Sequence, residues 1–198
     1  MNPYATPPVM RYVNTFFRAF FHDDRERVFV FGINPGRFGA GLTGVTFTDP
    51  VALENNWGIN NDLEKRREVS SDFVYRFIEQ WGGPKKFFSR FFLTAVSPLG
   101  FTRGGVNYNY YDDPQLLTSL QPFITMTLRK QLSLGARRDI AIVLGTGKNQ
   151  KAFDMLNKNS NFFSKVQYLE HPRFIMQYRR KKLAEYLKKY SSVFTSTL

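Results

Sequence analysis

The chain has 198 residues, 42% of them hydrophobic and 17% aromatic, enough to bury a core in one domain spanning 1–198. Twenty-eight Lys and Arg against sixteen Asp and Glu leave a formal net charge of +12, a field that favours a polyanion and nucleic acid first. The absence of Cys excludes disulfides, thiolate zinc sites, cysteine-held iron–sulfur clusters and a Cys nucleophile, and His22 and His171 are too few for a multi-histidine metal centre.

No apolar run reaches membrane-spanning length, and the opening MNPYATPPVM lacks the apolar stretch of a signal peptide. A cytoplasmic, monomeric protein with no membrane contact is therefore expected. In YVNTFFRAFF, residues Tyr12, Val13, Phe16, Phe17, Phe20 and Phe21 fall on one helical stripe. The DDRER turn leads into a buried strand over 28–33. Phe73, Val74, Phe77, Ile78 and Trp81 mark a second helical stripe, closed by Gly82 and Gly83. RFFLTAVSP reads as a second buried strand stopped by Pro98, and GFTRGGVNYNYYDDP as a loop, from its glycines and Asn/Asp content.

Residues 115–134 read as largely helical, with Pro122 interrupting the helix or opening another. IAIVLG at 140–145 is a third buried strand, KNQKAFDMLNK a helix, and VQYLEHP a fourth strand. Leu183, Tyr186, Leu187 and Tyr190 mark a closing amphipathic helix. Short apolar strands alternating with helices predict an α/β fold: a three-layer α/β/α sandwich around a short, about four-stranded parallel sheet. Ligands in such folds bind beyond the carboxyl ends of the strands, where 33–47, 94–98 and 171–176 should converge.

The glycine-rich segment after the first strand fails two nucleotide signatures. A P-loop needs G-x-x-x-x-G-K-[ST], but Arg37 and Phe38 follow Gly36; in GTGKNQ, Asn149 follows Lys148 and Ile142 holds the earlier glycine position. The dinucleotide pattern G-x-G-x-x-G also fails. What does fit is Gly32, Ile33, Asn34, Pro35, Gly36, Arg37, Phe38, Gly39, then Thr43, Gly44, Val45 and Phe47. This run resembles the first active-site motif of the uracil-DNA glycosylase superfamily, closest to its single-strand-selective monofunctional branch. RFFLTAVSPLGF, IVLGTGKNQKAF and LEHPRF are similar to that branch's later motifs, extending the resemblance over about residues 28–190.

The resemblance implies a uracil-DNA glycosylase-like fold and an enzyme of base-excision repair. Such an enzyme hydrolyses the N-glycosidic bond of uracil in DNA without metal, cofactor or lyase step, so its partner is DNA containing deaminated bases. Asn34 would position the attacking water, and His171 would donate a hydrogen bond to a pyrimidine O2 as the base leaves. Phe47 would stack on the extruded base, with the backbone of Ile33 and Gly36 lining the same pocket. In the wedge that follows, Arg173 and Phe174 would enter the base stack while Arg179 and Arg180, with Lys181 and Lys182, meet phosphates. From the residues alone, Asn34 could equally cap its own turn and Phe47 belong to the core.

One position departs from the family pattern. Ala95 stands where the branch carries the Asn that reads uracil. Either another group reads the base, with Thr94, Ser97, Asn107, Asn109 and Asp49 as candidates, or base choice is relaxed and a purine such as xanthine is accepted. The alternative function is a non-catalytic protein that binds damaged or single-stranded DNA.

Overall fold

The computed structural model describes residues 1–198. In chain order the elements are α1 (Pro7–Phe20), β1 (Arg27–Gly32), α2 (Ala40–Thr43), α3 (Pro50–Trp57), α4 (Val69–Gln80), α5 (Pro84–Phe88), β2 (Phe91–Ala95), β3 (Phe101–Arg103), β4 (Val106–Tyr108), α6 (Pro114–Leu132), β5 (Ala136–Leu144), α7 (Lys148–Ser160), β6 (Lys165–Leu169), α8 (Pro172–Tyr178) and α9 (Leu183–Thr195).

Four strands form one parallel sheet in the order β2-β1-β5-β6. Every residue of β1 is buried, as a central strand covered on both faces requires. Alternation then sorts its side chains. Val28 and Val30 join the core under α1, α4, α5, α8 and α9, while Phe29 and Phe31 join the core under α6 and α7. The first core is largely aromatic: Phe16, Phe20, Trp57 and Phe88 pack edge-on or tilted, as do Phe77, Phe87, Phe91 and Phe194. The three-layer α/β/α fold expected from the sequence is thus the one observed.

Register decides where the site lies. Gly32 of β1 stands opposite Ala95 of β2, so the motif loop and the Ala95 turn leave the sheet side by side. On the other side, Leu144 of β5 pairs with Leu169 of β6, two residues before His171.

Two expectations are corrected. Residues 101–108 are not a plain loop but an antiparallel hairpin, β3–β4, turning through Gly104 and Gly105 at positive φ. Its strands are only three residues long and mostly exposed, too short for an alternating pattern to register in the sequence. Pro122 neither breaks nor opens a helix: α6 runs through it. Proline removes one N–H and frees the carbonyl four residues back. Here both Pro122 and Thr118 are exposed, so the freed carbonyl is left on the solvent side of the helix.

Candidate active site

The loops beyond β1, β2 and β6 enclose a cavity of about 600 Å³, within the usual range of small-molecule sites. Ile33, Asn34, Gly36, Phe47, Ala95, His171, Arg173 and Phe174 all line it. The structure therefore gathers eight of the ten singled-out residues at one place; Arg179 and Arg180 lie on the surface just past α8.

Asn34 does not cap its own turn. Its Nδ2 donates to the Tyr108 carbonyl at 3.2 Å, and its Oδ1 accepts from the Tyr110 N–H at 3.1 Å. The side-chain amide thus pairs with the chain leaving β4 as a neighbouring strand would, which fixes the oxygen and nitrogen ends. One lone pair and one N–H remain for a ligand. Tyr110 is in turn anchored: fully buried, it donates from its hydroxyl to Asn149 Oδ1 at 2.9 Å. GTGKNQ, which failed as a P-loop, thus supplies a strut for Asn34 through Asn149.

Phe47 has φ 56°, in the left-handed region that costs a non-glycine residue roughly 1–3 kcal/mol. Ser71 Oγ donates to its carbonyl at 2.7 Å and holds it there. The ring lies against Gly32, where an added Cβ would sit 2.8 Å from Cζ. Its centroid is 5.7 Å from that of His171, with the rings tilted by 43°. Although buried, Phe47 forms a wall of the cavity rather than the middle of the aromatic core.

His171 is the N-cap of α8, and its Nδ1 accepts the Arg173 N–H at 3.1 Å. In a neutral ring the proton therefore sits on Nε2. Burial first, and the charge of Arg173 second, hold its pKa down to about 4, so the imidazole is neutral at physiological pH. The site thus presents a fixed amide on one side and a neutral N–H donor on another, with an aromatic wall between them. Such a set can orient a water and hydrogen-bond a leaving oxyanion.

The candidate base readers divide. Thr94 Oγ1 donates to Gln131 Oε1 on α6 at 2.5 Å, and Ser97, fully buried, donates to the Leu99 carbonyl. Asp49 is not in the cavity: it caps α3 through the Ala52 N–H and accepts the Glu68 N–H. Thr94, Asn107 and Asn109 line the cavity. Glu68, which sequence reasoning missed, lines it as well, with its carboxylate lying over Gly36 and Gly39. The only trace in the sequence was the pair of glycines, which leaves that side of the loop bare without naming what fills it.

Arg37 and Arg66 both lie over Phe38 of the motif loop, at 4.3 and 4.5 Å from guanidinium carbon to ring centroid. Phe174 and Tyr178 project from α8, with Arg179 over the Phe174 ring at 5.3 Å. No helix is long and apolar enough to cross a membrane.

The profile of the Uracil DNA glycosylase superfamily matches residues 19–194, and the chain belongs to that superfamily of DNA glycosylases. Among solved structures it is similar to wild-type SMUG2 of Pedobacter heparinus, with 40% identity and a TM-score of 0.95 over 100% of this chain and 87% of that one. No curated protein matches.

Proposed function

We propose that the protein is a monofunctional, metal-independent DNA glycosylase that acts as a monomer on uracil and on other deaminated bases, xanthine included, to begin base-excision repair. The observation that carries this is the meeting of the pinned Asn34 amide and the neutral His171 imidazole at one cavity. Water held by Asn34 attacks C1′ of the sugar as the C1′–N bond breaks, and its proton passes to solvent or to the departing base anion, since the amide is not a base. The electron pair leaves with the base, and His171 Nε2–H stabilises the anion forming on its oxygen, a contribution of about 3 kcal/mol for a preorganised donor.

Phe47 stacks on the extruded base, contributing roughly 1–3 kcal/mol, while the backbone of Ile33 and Gly36 closes the pocket around it. Arg173 and Phe174 fill the gap in the duplex, and Arg179 and Arg180 hold phosphates. No lysine stands in the motif loop or directly after His171; Lys130 of α6 does line the cavity, and the hydrolytic reading gives it a phosphate contact rather than the part of a nucleophile.

The test is incubation in EDTA with oligonucleotides carrying uracil, xanthine or hypoxanthine, single- and double-stranded. Alkali-sensitive sites should appear with no strand break before alkali. Ala95, with no side chain to read a base, favours one rival, a non-catalytic binder. Tight, damage-selective binding with no base released from any substrate would establish the rival.

A further inference from the structure

Ala95 leaves the base without its expected reader, and the cavity offers a replacement among its other lining residues. The Glu68 carboxylate occupies the space in which side chains on Gly36 and Gly39 would begin: Cβ atoms there would fall 2.6 Å from Oε1 and 1.8 Å from Oε2. Glu68 forms no salt bridge. Burial raises its pKa and the charge of Arg173 opposes that rise. A carboxylate so enclosed gains from any donor a ligand brings.

The same spot above Gly36 is approached by Asn107, whose Nδ2 lies 3.6 Å from it. Asn107 cannot flip, because its Oδ1 accepts the Arg37 N–H at 3.0 Å. One wall of the cavity therefore presents an acceptor and, beside it, a donor of fixed polarity.

We propose that Glu68 and Asn107 together read the edge that deamination creates. In uracil, hypoxanthine and xanthine a ring N–H adjoins a carbonyl, whereas cytosine and adenine present a ring nitrogen lone pair beside an amine. A carboxylate only accepts, so it rewards the ring N–H and repels the lone pair. The locked Nδ2 donates to the adjoining carbonyl and repels an amine. Two contacts of fixed sense admit pyrimidine and purine lactams alike and reject cytosine and adenine without an amide at residue 95; thymine and guanine carry the same edge, so their exclusion falls to the rest of the pocket. This rests on the glycosylase reading above.

The experiment measures single-turnover base release from uracil, hypoxanthine and xanthine oligonucleotides by the wild-type chain, Glu68→Gln and Asn107→Asp. Each substitution should slow all three reactions by about tenfold or more, the worth of one good polar base contact. Affinity for the same DNA without a deaminated base should be unchanged. Glu68→Gln is isosteric, and a melting scan reports whether it folds. A second arm needs no variant: free uracil should inhibit the wild-type reaction far better than 3-methyluracil, which lacks the N–H. Wild-type rates in both variants, or equal inhibition by the two free bases, would overturn the proposal. Absence of base release by the wild type defeats the glycosylase reading itself, a separable result.

Discussion

Between Gly32 and Phe47, the polar groups that face the cavity are tied to distant parts of the chain. Asn34 is bonded to Tyr108 and Tyr110, the Arg37 N–H to Asn107, and the Phe47 carbonyl to Ser71. From Phe174 to Lys182 the reverse holds: Phe174 is 38% and Tyr178 66% exposed, and the four cations that follow stand in solvent. Both segments border the same cavity. The first holds atoms in fixed positions at the cost of backbone strain at Phe47; the second offers large, exposed, charged surface. In a glycosylase, bond cleavage needs the first kind of order, and gripping a deformable polyanion needs only the second.

The sharpest way to break this contrast is Asn34→Ala. It should lower single-turnover base release by about 10²–10³-fold, the cost of losing one preorganised polar group, while DNA affinity stays within about twofold. Equal losses in rate and affinity would place Asn34 among the DNA contacts instead, and the proposed division between the two segments would fail.

His171 gives a pH signature. Its pKa is about 4 in the folded chain against 6.5 for a solvent-exposed imidazole, so between those values the unfolded chain binds the extra proton. Stability from this residue is thus complete above about pH 6.5 and lost as pH falls towards 4, amounting to roughly 3 kcal/mol. Denaturant titrations from pH 7 to 4.5 should show the decline in the wild type and its reduction in His171→Phe. Catalysis should show no loss centred near pH 6.5, because the neutral ring is the donor. A rate limb at that pH would contradict the fixed Nε2–H.

The smallest effects are expected at the exposed end. Arg179→Ala and Arg180→Ala should each flatten the dependence of log affinity on log salt by about 1, with cleavage of fully bound substrate nearly unchanged. An unaltered slope would mean that these guanidinium groups are only the solvated end of α8.

Much of this site was legible in advance because chemistry had concentrated it in short contiguous runs. GINPGRFG announced a strand end and a loop carrying the Asn34 amide, and VQYLEHP announced an imidazole at a strand end, although the strand stops at Leu169 and His171 instead caps α8. The hairpin was not legible, since three-residue strands carry too few side chains for a period to show. Its consequence was hidden with it: the partners of Asn34 lie 74 and 76 residues away and act through backbone atoms, which no side-chain pattern records. Glu68 escaped for a similar reason. In EKRREVSS it looks like one more charge on a polar stretch, and only the fold sets it against two glycines.

By itself the sequence determined the class of fold, because fully apolar strands alternating with amphipathic helices have few other ways to hide both faces of a sheet. It also singled out the Asn34 amide and the His171 imidazole, which their local motifs mark. Tertiary structure alone decided that Asn34 is locked rather than free, that His171 is neutral with its proton on Nε2, and that Glu68 and Asn107 line the same cavity as Ala95. Each of those depends on burial and on bonds between residues far apart in the chain, and such terms exist only once the chain has closed around them.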